Sequence, residues 1–138
     1  MQDTKVNGPV LVWVTNPEAG DRIIQAGKKL ADERGAEIYV VSIQNGAGED
    51  PATRAIGLEM LHRAAKEVGA ELAVIYTENQ FHSAADTVKK IKPSVMVAGI
   101  PGSEGKSVFL DYIYTLGEDI PSYIVDKSGN MLRADALR

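Results

Sequence analysis

The chain has 138 residues, of which 44% are hydrophobic and 25% charged, and its net charge is −4. This composition is typical of one globular domain, and the acidic balance without a Lys/Arg cluster argues against nucleic acid as a partner. The lack of cysteine excludes disulfides and thiolate chemistry, and no apolar run approaches the ~20 residues that cross a bilayer, so we expect a cytoplasmic protein without membrane insertion.

Five short apolar runs alternate with segments of helical periodicity. The runs are rich in Val, Ile and Tyr and almost continuously apolar, which is typical of parallel strands covered on both faces; they lie at 9–15, 37–43, 71–77, 94–100 and 121–126. Each helical segment between them is followed by a residue that ends helices, namely Gly35, Gly69, Pro93 and Gly117. The alternation predicts one α/β domain over 1–138, with an open five-stranded parallel sheet, helices on both faces, a core at 9–126 and a tail at 127–138.

The loop after the fourth run, VAGIPGSEGKS at 97–107, ends like a phosphate-binding P-loop. A P-loop requires the spacing G-x-x-x-x-G-K-[ST], because successive backbone N–H groups must converge on one phosphate. Here Gly99 stands six positions before Gly105 instead of five. The spacing is wrong by one residue, so we do not expect a true P-loop.

The same loop is nevertheless well placed to bind an anion. In open α/β sheets ligands bind beyond the carboxyl ends of the strands, and a helix N-terminus offers unpaired N–H groups to a phosphate. Gly99 and Gly102 would let the backbone approach such a group. Lys106 adds a positive charge, and Ser103 and Ser107 add hydroxyl donors. These five residues are candidate phosphate ligands; the alternative is a turn that only joins a strand to a helix.

The order of these features resembles the universal stress protein family. A strand, G-x2-G, a Ser-containing loop, a helix and a Pro before the last strand are similar to the end of such a domain. The opening VLVWVTNPEAGDRIIQAGKKLADERGAEIYVVSI, residues 10–43, resembles its start. The resemblance spans residues 9–126. The Thr-Asn-Pro turn after the first strand is most similar to the universal stress domain inside potassium-responsive sensor histidine kinases.

The resemblance implies a regulatory domain with strand order 3-2-1-4-5, often a homodimer through the last strand and a possible partner of signalling proteins. The implied ligand is ATP or a related adenine nucleotide, with Mg²⁺ accompanying ATP. The family pattern implies that Thr15, Asn16 and Pro17, after the first strand, face the adenine and ribose. It also implies that the backbone of Val41, in the second strand, meets the adenine edge.

The family's nucleotide signature, G-x2-G-x9-G-[ST], is only half present. Gly99 and Gly102 match the first pair, whereas Tyr112 and Ile113 stand where Gly-[ST] is expected. A shorter spacing would let Ser107 supply the hydroxyl, but the third glycine is missing. Two hypotheses follow: a nucleotide-binding regulatory domain, or an interaction module of the same fold that acts by dimerisation or docking without nucleotide.

No residue pattern indicates catalysis. The sequence has no carboxylate pair spaced for acid–base work and no G-x-S-x-G elbow, so an enzyme that used Lys106 and Ser107 would lack a general base. His62 and His82 are isolated, and we expect no metal site. Trp13, inside the first apolar run, is expected to pack in the core. We therefore expect a binding function without a catalytic one.

Overall fold

The computed structural model describes residues 8–44, 50–100 and 108–134. The elements in chain order are β1 (Val10–Trp13), a 3-10 turn (Pro17–Ala19), α1 (Gly20–Arg34), β2 (Ile38–Gln44), α2 (Pro51–Glu67), β3 (Glu71–Tyr76), α3 (Gln80–Ile91), β4 (Val95–Gly99), α4 (Val108–Leu116), β5 (Ser122–Val125) and β6 (Met131–Arg133). Each helix ends one or two residues before its predicted stop. Within the described ranges, no helix combines the length and apolarity needed to cross a membrane.

The six strands form one sheet in the order β3-β2-β1-β4-β5-β6. The first five are parallel, and β6 pairs antiparallel with β5. The predicted α/β class and the order 3-2-1-4-5 are confirmed, but the predicted strand number is wrong, because the sheet has six strands and not five. The sixth comes from the segment predicted to be a tail.

A tight turn after β5 returns the chain to form β6. The carboxylate of Asp126 accepts hydrogen bonds from the backbone N–H groups of Ser128 and Asn130, both at 2.9 Å. Gly129 has φ 88°, a left-handed conformation that favours glycine. The Asp126 N–H donates back to the Asn130 carbonyl at 2.9 Å. These contacts hold the turn that reverses the chain direction after β5. The three residues of β6 then pair with the outer edge of β5.

Apolar layers on the two faces of the sheet join it to the helices. Val10 and Val12 of β1 pack with side chains of α1 and α2 on one face. Leu11 and Trp13 pack with side chains of α3 and α4 on the other. Successive strand residues point to opposite faces, which explains why β1 is apolar at every position. The predicted core position of Trp13 is confirmed: it is buried and its indole N–H points to the sulfur of Met96 at 3.4 Å.

Candidate functional site

The ends of β1 and β4 lie side by side at the edge where the five parallel strands end, which we call the carboxyl edge. Trp13, the last residue of β1, is in register with Ala98, the next-to-last residue of β4. The chain leaves β1 toward β2 on one side and returns through β4 on the other. This is the topological switch point at which open α/β sheets bind ligands. The two strand ends that were predicted to flank a binding site are therefore neighbours in the sheet.

A hollow of about 340 Å³ lies at this edge between the segment after β1, the end of β2 and the first half of α2. We call it the carboxyl-edge hollow. Its volume lies in the range of small-molecule sites. Its lining includes Asn16, Pro17, Gln44, Ile56 and Met60.

Two other hollows lie away from the strand ends that bind ligands in this architecture. One, of about 800 Å³, is a wide shelf between the end of α2 and the start of β3. The other, of about 160 Å³, lies between the end of α4 and the start of β5. Both are at the amino edge of the parallel strands. Their position argues against either as the principal site, although one is larger.

Apolar side chains of α2 form one wall of the carboxyl-edge hollow. Ile56 is 62% exposed and Met60 is 37% exposed, although both are large apolar residues. Pro17 lies opposite α2 and approaches it closely, since a Cβ added at Gly57 would be 3.1 Å from the Pro17 ring. The hollow thus has three apolar side chains in its lining, those of Pro17, Ile56 and Met60.

The residues after β1 that were predicted to face a ligand are placed as follows. Asn16 and Pro17 line the carboxyl-edge hollow, whereas Thr15 is exposed beside it. The Oδ1 atom of Asn16 accepts the N–H of Glu18 at 3.0 Å and caps the 3-10 turn. Among the described residues, the Nδ2 group of Asn16 has no hydrogen-bond partner, so it remains a donor to a ligand.

The predicted residue of β2, Val41, lies inside the sheet. Its side chain is buried, and its carbonyl accepts the N–H of Val14 at 3.0 Å. The polar side chain that reaches the hollow from β2 is Gln44, the last residue of the strand. Its Nε2 group donates to the hydroxyl of fully buried Ser42 at 2.9 Å. The sequence analysis missed Gln44, whose signal was a polar residue ending an apolar run.

Gly99 has a packing reason to be glycine. A Cβ added there would lie 2.5 Å from Cδ1 of Ile23 in α1, so the Ile23 side chain would have to move to accommodate it. The glycine therefore allows α1 to pack against the end of β4. The other four candidate phosphate ligands, Gly102, Ser103, Lys106 and Ser107, lie outside the described residues.

The second half of the family signature falls within α4. Ile113 is fully buried in the core between α4 and the sheet. The Tyr112 ring contacts Phe81 edge-on, with centroids 5.0 Å apart. Ile113 therefore packs inside the domain and Tyr112 packs partly buried against Phe81, so both differ in role from the Gly-[ST] pair of the family pattern.

Arg22, in the first turn of α1, is a cation that lies near the turn after β5. Its Nε atom is buried and has no hydrogen-bond partner among the described residues. The hydrogen bond from Asn130 is the main cause that lowers the pKa of Asp126, and the nearby charge of Arg22 adds to it. A cation at a helix N-terminus is disfavoured by the helix dipole. The position of Arg22 in the sequence therefore indicated that it does not serve to stabilise the helix end.

The polar and charged groups of the described residues do not form a metal centre. In those ranges no group of three or more His, Asp or Glu side chains is close enough to hold an ion. Asp50 caps α2, and its pKa is lowered because its carboxylate accepts the backbone N–H and the hydroxyl of Thr53. This role is structural.

Comparisons with known proteins bear on the fold. No protein-family model matches the sequence, and no curated protein is significantly similar to it. The universal stress protein from Archaeoglobus fulgidus has a TM-score of 0.64 at 15% identity, over 88% of this chain and 93% of its own. Its complex with dAMP gives 0.62 at 16% identity, over 87% and 98%. This chain has the universal stress protein fold.

Other matches show how widely this fold is used. A universal stress protein in complex with cAMP has a TM-score of 0.62 at 13% identity, over 87% of this chain and 98% of its own. The hydratase GalB from Pseudomonas putida, which acts on 4-carboxy-2-hydroxymuconate, reaches 0.61 at 13% identity, over 85% and 65%. Because one fold carries both kinds of protein, function must be argued from the site.

Proposed function

We propose that this chain is a regulatory domain of the universal stress type that binds an adenine nucleotide at its carboxyl edge. The observation that carries the proposal is the carboxyl-edge hollow, which lies beyond the ends of β1 and β2 and beside α2. The structural neighbours crystallised with dAMP and cAMP support an adenine nucleotide as the ligand class. The Thr-Asn-Pro turn supports the finer proposal that the domain is of the sensor histidine kinase type.

The base would occupy the hollow between Pro17 and the exposed side chains of Ile56 and Met60. Burial of apolar area supplies affinity there, at ~25 cal/mol per Å² removed from water. Asn16 would donate its Nδ2 hydrogen to the base or ribose. These contacts use the two features that the hollow combines, which are apolar walls and a few polar groups.

The phosphates would extend from the hollow toward the end of β4. Gly99 and the first turn of α1 lie there, and Arg22 provides a positive charge beside them. We keep Gly102, Ser103, Lys106 and Ser107 as proposed phosphate ligands. Mg²⁺ would bind through the phosphates of ATP and water, as it commonly does.

Paired asparagine substitutions test this proposal. Asn16→Asp keeps the Oδ1 cap of the 3-10 turn but removes the Nδ2 donor and adds a negative charge near the ligand. We expect unchanged thermal stability and affinity for AMP and ATP lower by about tenfold or more, measured by titration calorimetry. Asn79→Asp is the matched control, because Asn79 caps α3 by accepting the N–H of His82 at 3.1 Å and does not line the hollow.

Two calorimetric results would count against nucleotide binding in the hollow. In the first, AMP, cAMP and ATP with Mg²⁺ give neither heat nor a thermal shift with the wild-type protein. In the second, the Asn16 and Asn79 variants weaken binding equally, which would place the ligand elsewhere.

The second candidate is an interaction module of the same fold that does not bind nucleotide. The packing of Tyr112 and Ile113 favours it, since these positions replace the Gly-[ST] of the family signature. The homodimer through the last strand belongs to this candidate, as does a signalling partner. Its signature is a dimer whose concentration dependence, measured by sedimentation, does not respond to nucleotide.

The position of β6 sharpens the dimer prediction. β6 covers β5, so a second copy that adds to the sheet here would pair with β6. Ile124 of β5 is buried in the core, and a charge there would unfold the domain before it tested an interface. Leu132 of β6 is 40% exposed and is the better position for a charged substitution.

A further inference from the structure

Gln44 is placed where its side chain can form hydrogen bonds with the polar edge of a bound base. It ends β2 and lines the carboxyl-edge hollow between Asn16 and α2. Its amide is held in place, because Nε2 donates to the Ser42 hydroxyl at 2.9 Å and Ser42 is fully buried. A side chain anchored in this way loses little further freedom when a ligand binds, which favours specific recognition.

The backbone acceptors beside Gln44 are already used by the protein. The carbonyl of Val41 accepts the N–H of Val14 at 3.0 Å, and the carbonyl of Gln44 accepts the N–H of Thr77 at 2.9 Å. The carbonyl of Ile43 accepts from Nε2 of Gln80 at 3.2 Å. The side-chain amide of Gln44 is therefore the group of β2 on which we base recognition of a ligand in the hollow.

The remaining polar atom of the Gln44 amide is an acceptor. With Nε2 committed to Ser42, Oε1 has no hydrogen-bond partner among the described residues. A carbonyl oxygen accepts from an amino group, and it repels another carbonyl oxygen. An amino group at C6 of a purine would donate a hydrogen bond to Oε1. An oxygen at C6 has no hydrogen to donate, so that oxygen and Oε1 would not pair with each other.

We propose that Gln44, positioned by Ser42, selects 6-amino purine nucleotides over 6-oxo purine nucleotides. This inference rests on the proposed function, since it assigns the specificity of the same hollow. It goes beyond that function, because it names the residue and the group on the ligand that decide which nucleotide binds. A site whose polar group is left unpaired by the wrong ligand discriminates against that ligand.

AMP and IMP form the test pair, because they carry the same ribose phosphate and differ in the amino or oxo group at C6. We expect the wild-type protein to bind AMP about tenfold or more tightly than IMP. Gln44→Met keeps the length of the side chain but removes the amide, and should bring the AMP-to-IMP affinity ratio close to one. Gln44→Glu keeps an acceptor and should retain a preference for AMP while total affinity falls.

Ser42→Ala and Gln25→Ala complete the experiment. Ser42→Ala removes the anchor, and the affinity ratio should fall part of the way because the Gln44 amide can then rotate. Gln25 is exposed on α1, so Gln25→Ala should leave both affinities unchanged. Thermal melts establish that each variant is folded.

The outcomes separate this inference from the function on which it rests. If AMP binds to the wild-type protein but Gln44→Met keeps the same AMP-to-IMP ratio, the role of Gln44 is refuted and nucleotide binding stands. A wild-type preference for IMP would show that the amide presents Nε2 instead of Oε1, and would equally overturn the proposal. If neither nucleotide binds, the proposed function and this inference fall together.

Discussion

At the scale of single residues, two different reasons can explain why position 99 is glycine. Its place in a G-x2-G loop predicted a phosphate ligand, and the structure adds a steric requirement from Ile23. The sequence could not reveal this requirement, because Ile23 and Gly99 are distant along the chain and meet only when α1 packs on β4. The two explanations predict different consequences of adding a methyl group.

Gly99→Ala should destabilise the domain by about 1–3 kcal/mol, because the new Cβ overlaps Cδ1 of Ile23. Adding Ile23→Val, which removes that atom, should recover part of the loss, although Ile23→Val alone costs about 0.5–1.5 kcal/mol. Urea unfolding of the wild type, the two single variants and the double variant measures the coupling. If Gly99→Ala were as stable as the wild type and lost only nucleotide affinity, the steric explanation would be wrong.

Asp126 gives a pH dependence with a definite sign. Its hydrogen bonds, the one from Asn130 first, lower its pKa in the folded protein below the ordinary value of 3.8. A lowered carboxyl pKa contributes stability that is fully present above the unfolded pKa and is lost as pH falls through the folded pKa.

We therefore expect the stability difference between wild type and Asp126→Asn to be constant near neutral pH and to shrink in acid. Asparagine keeps the Oδ1 acceptor for the turn but does not titrate, so the comparison isolates the charge. Urea midpoints between about pH 6 and pH 3 measure it. A gap that stays constant down to the lowest pH would show that the charge of Asp126 does not stabilise the fold.

At the scale of elements, the five parallel strands and four helices were predictable because each has a strong periodic signal. Strands covered on both faces give continuous apolar runs, and Gly or Pro ends the helices between them. β6 was not predictable by the same means, since three residues, Met131–Arg133, are too few to show a period. Its existence depends on the Asp126 turn and on the unpaired edge of β5.

β6 should protect the edge of β5 from pairing with other copies. Leu132→Pro removes a backbone N–H group and restricts φ, so β6 should detach and leave the outer edge of β5 open. We expect increased, concentration-dependent self-association in sedimentation velocity. Leu132→Thr retains the N–H group and a high strand propensity, and should behave like the wild type. Identical mass at all concentrations for both variants would refute the protective role.

At the scale of the whole molecule, the edge of the sheet that carries the site was predictable and its walls were not. The parallel strands all end at the carboxyl edge, and ligands bind beyond the carboxyl ends of such strands, so the choice of edge follows from topology. The apolar wall of Ile56 and Met60 depends on how α2 crosses the end of β2, and the role of Gln44 depends on its hydrogen bond to Ser42. Such contacts arise from packing between distant segments and leave no local pattern.

The most direct test of the central claim is an amide NMR titration of the wild-type protein with AMP. We predict saturable shifts at the carboxyl edge, concentrated at Asn16, Gln44 and Ile56, with the amino-edge segments 69–72 and 117–122 unaffected. Saturable shifts confined to those amino-edge segments, or no shifts at millimolar AMP, would contradict a nucleotide site at the carboxyl edge of the sheet.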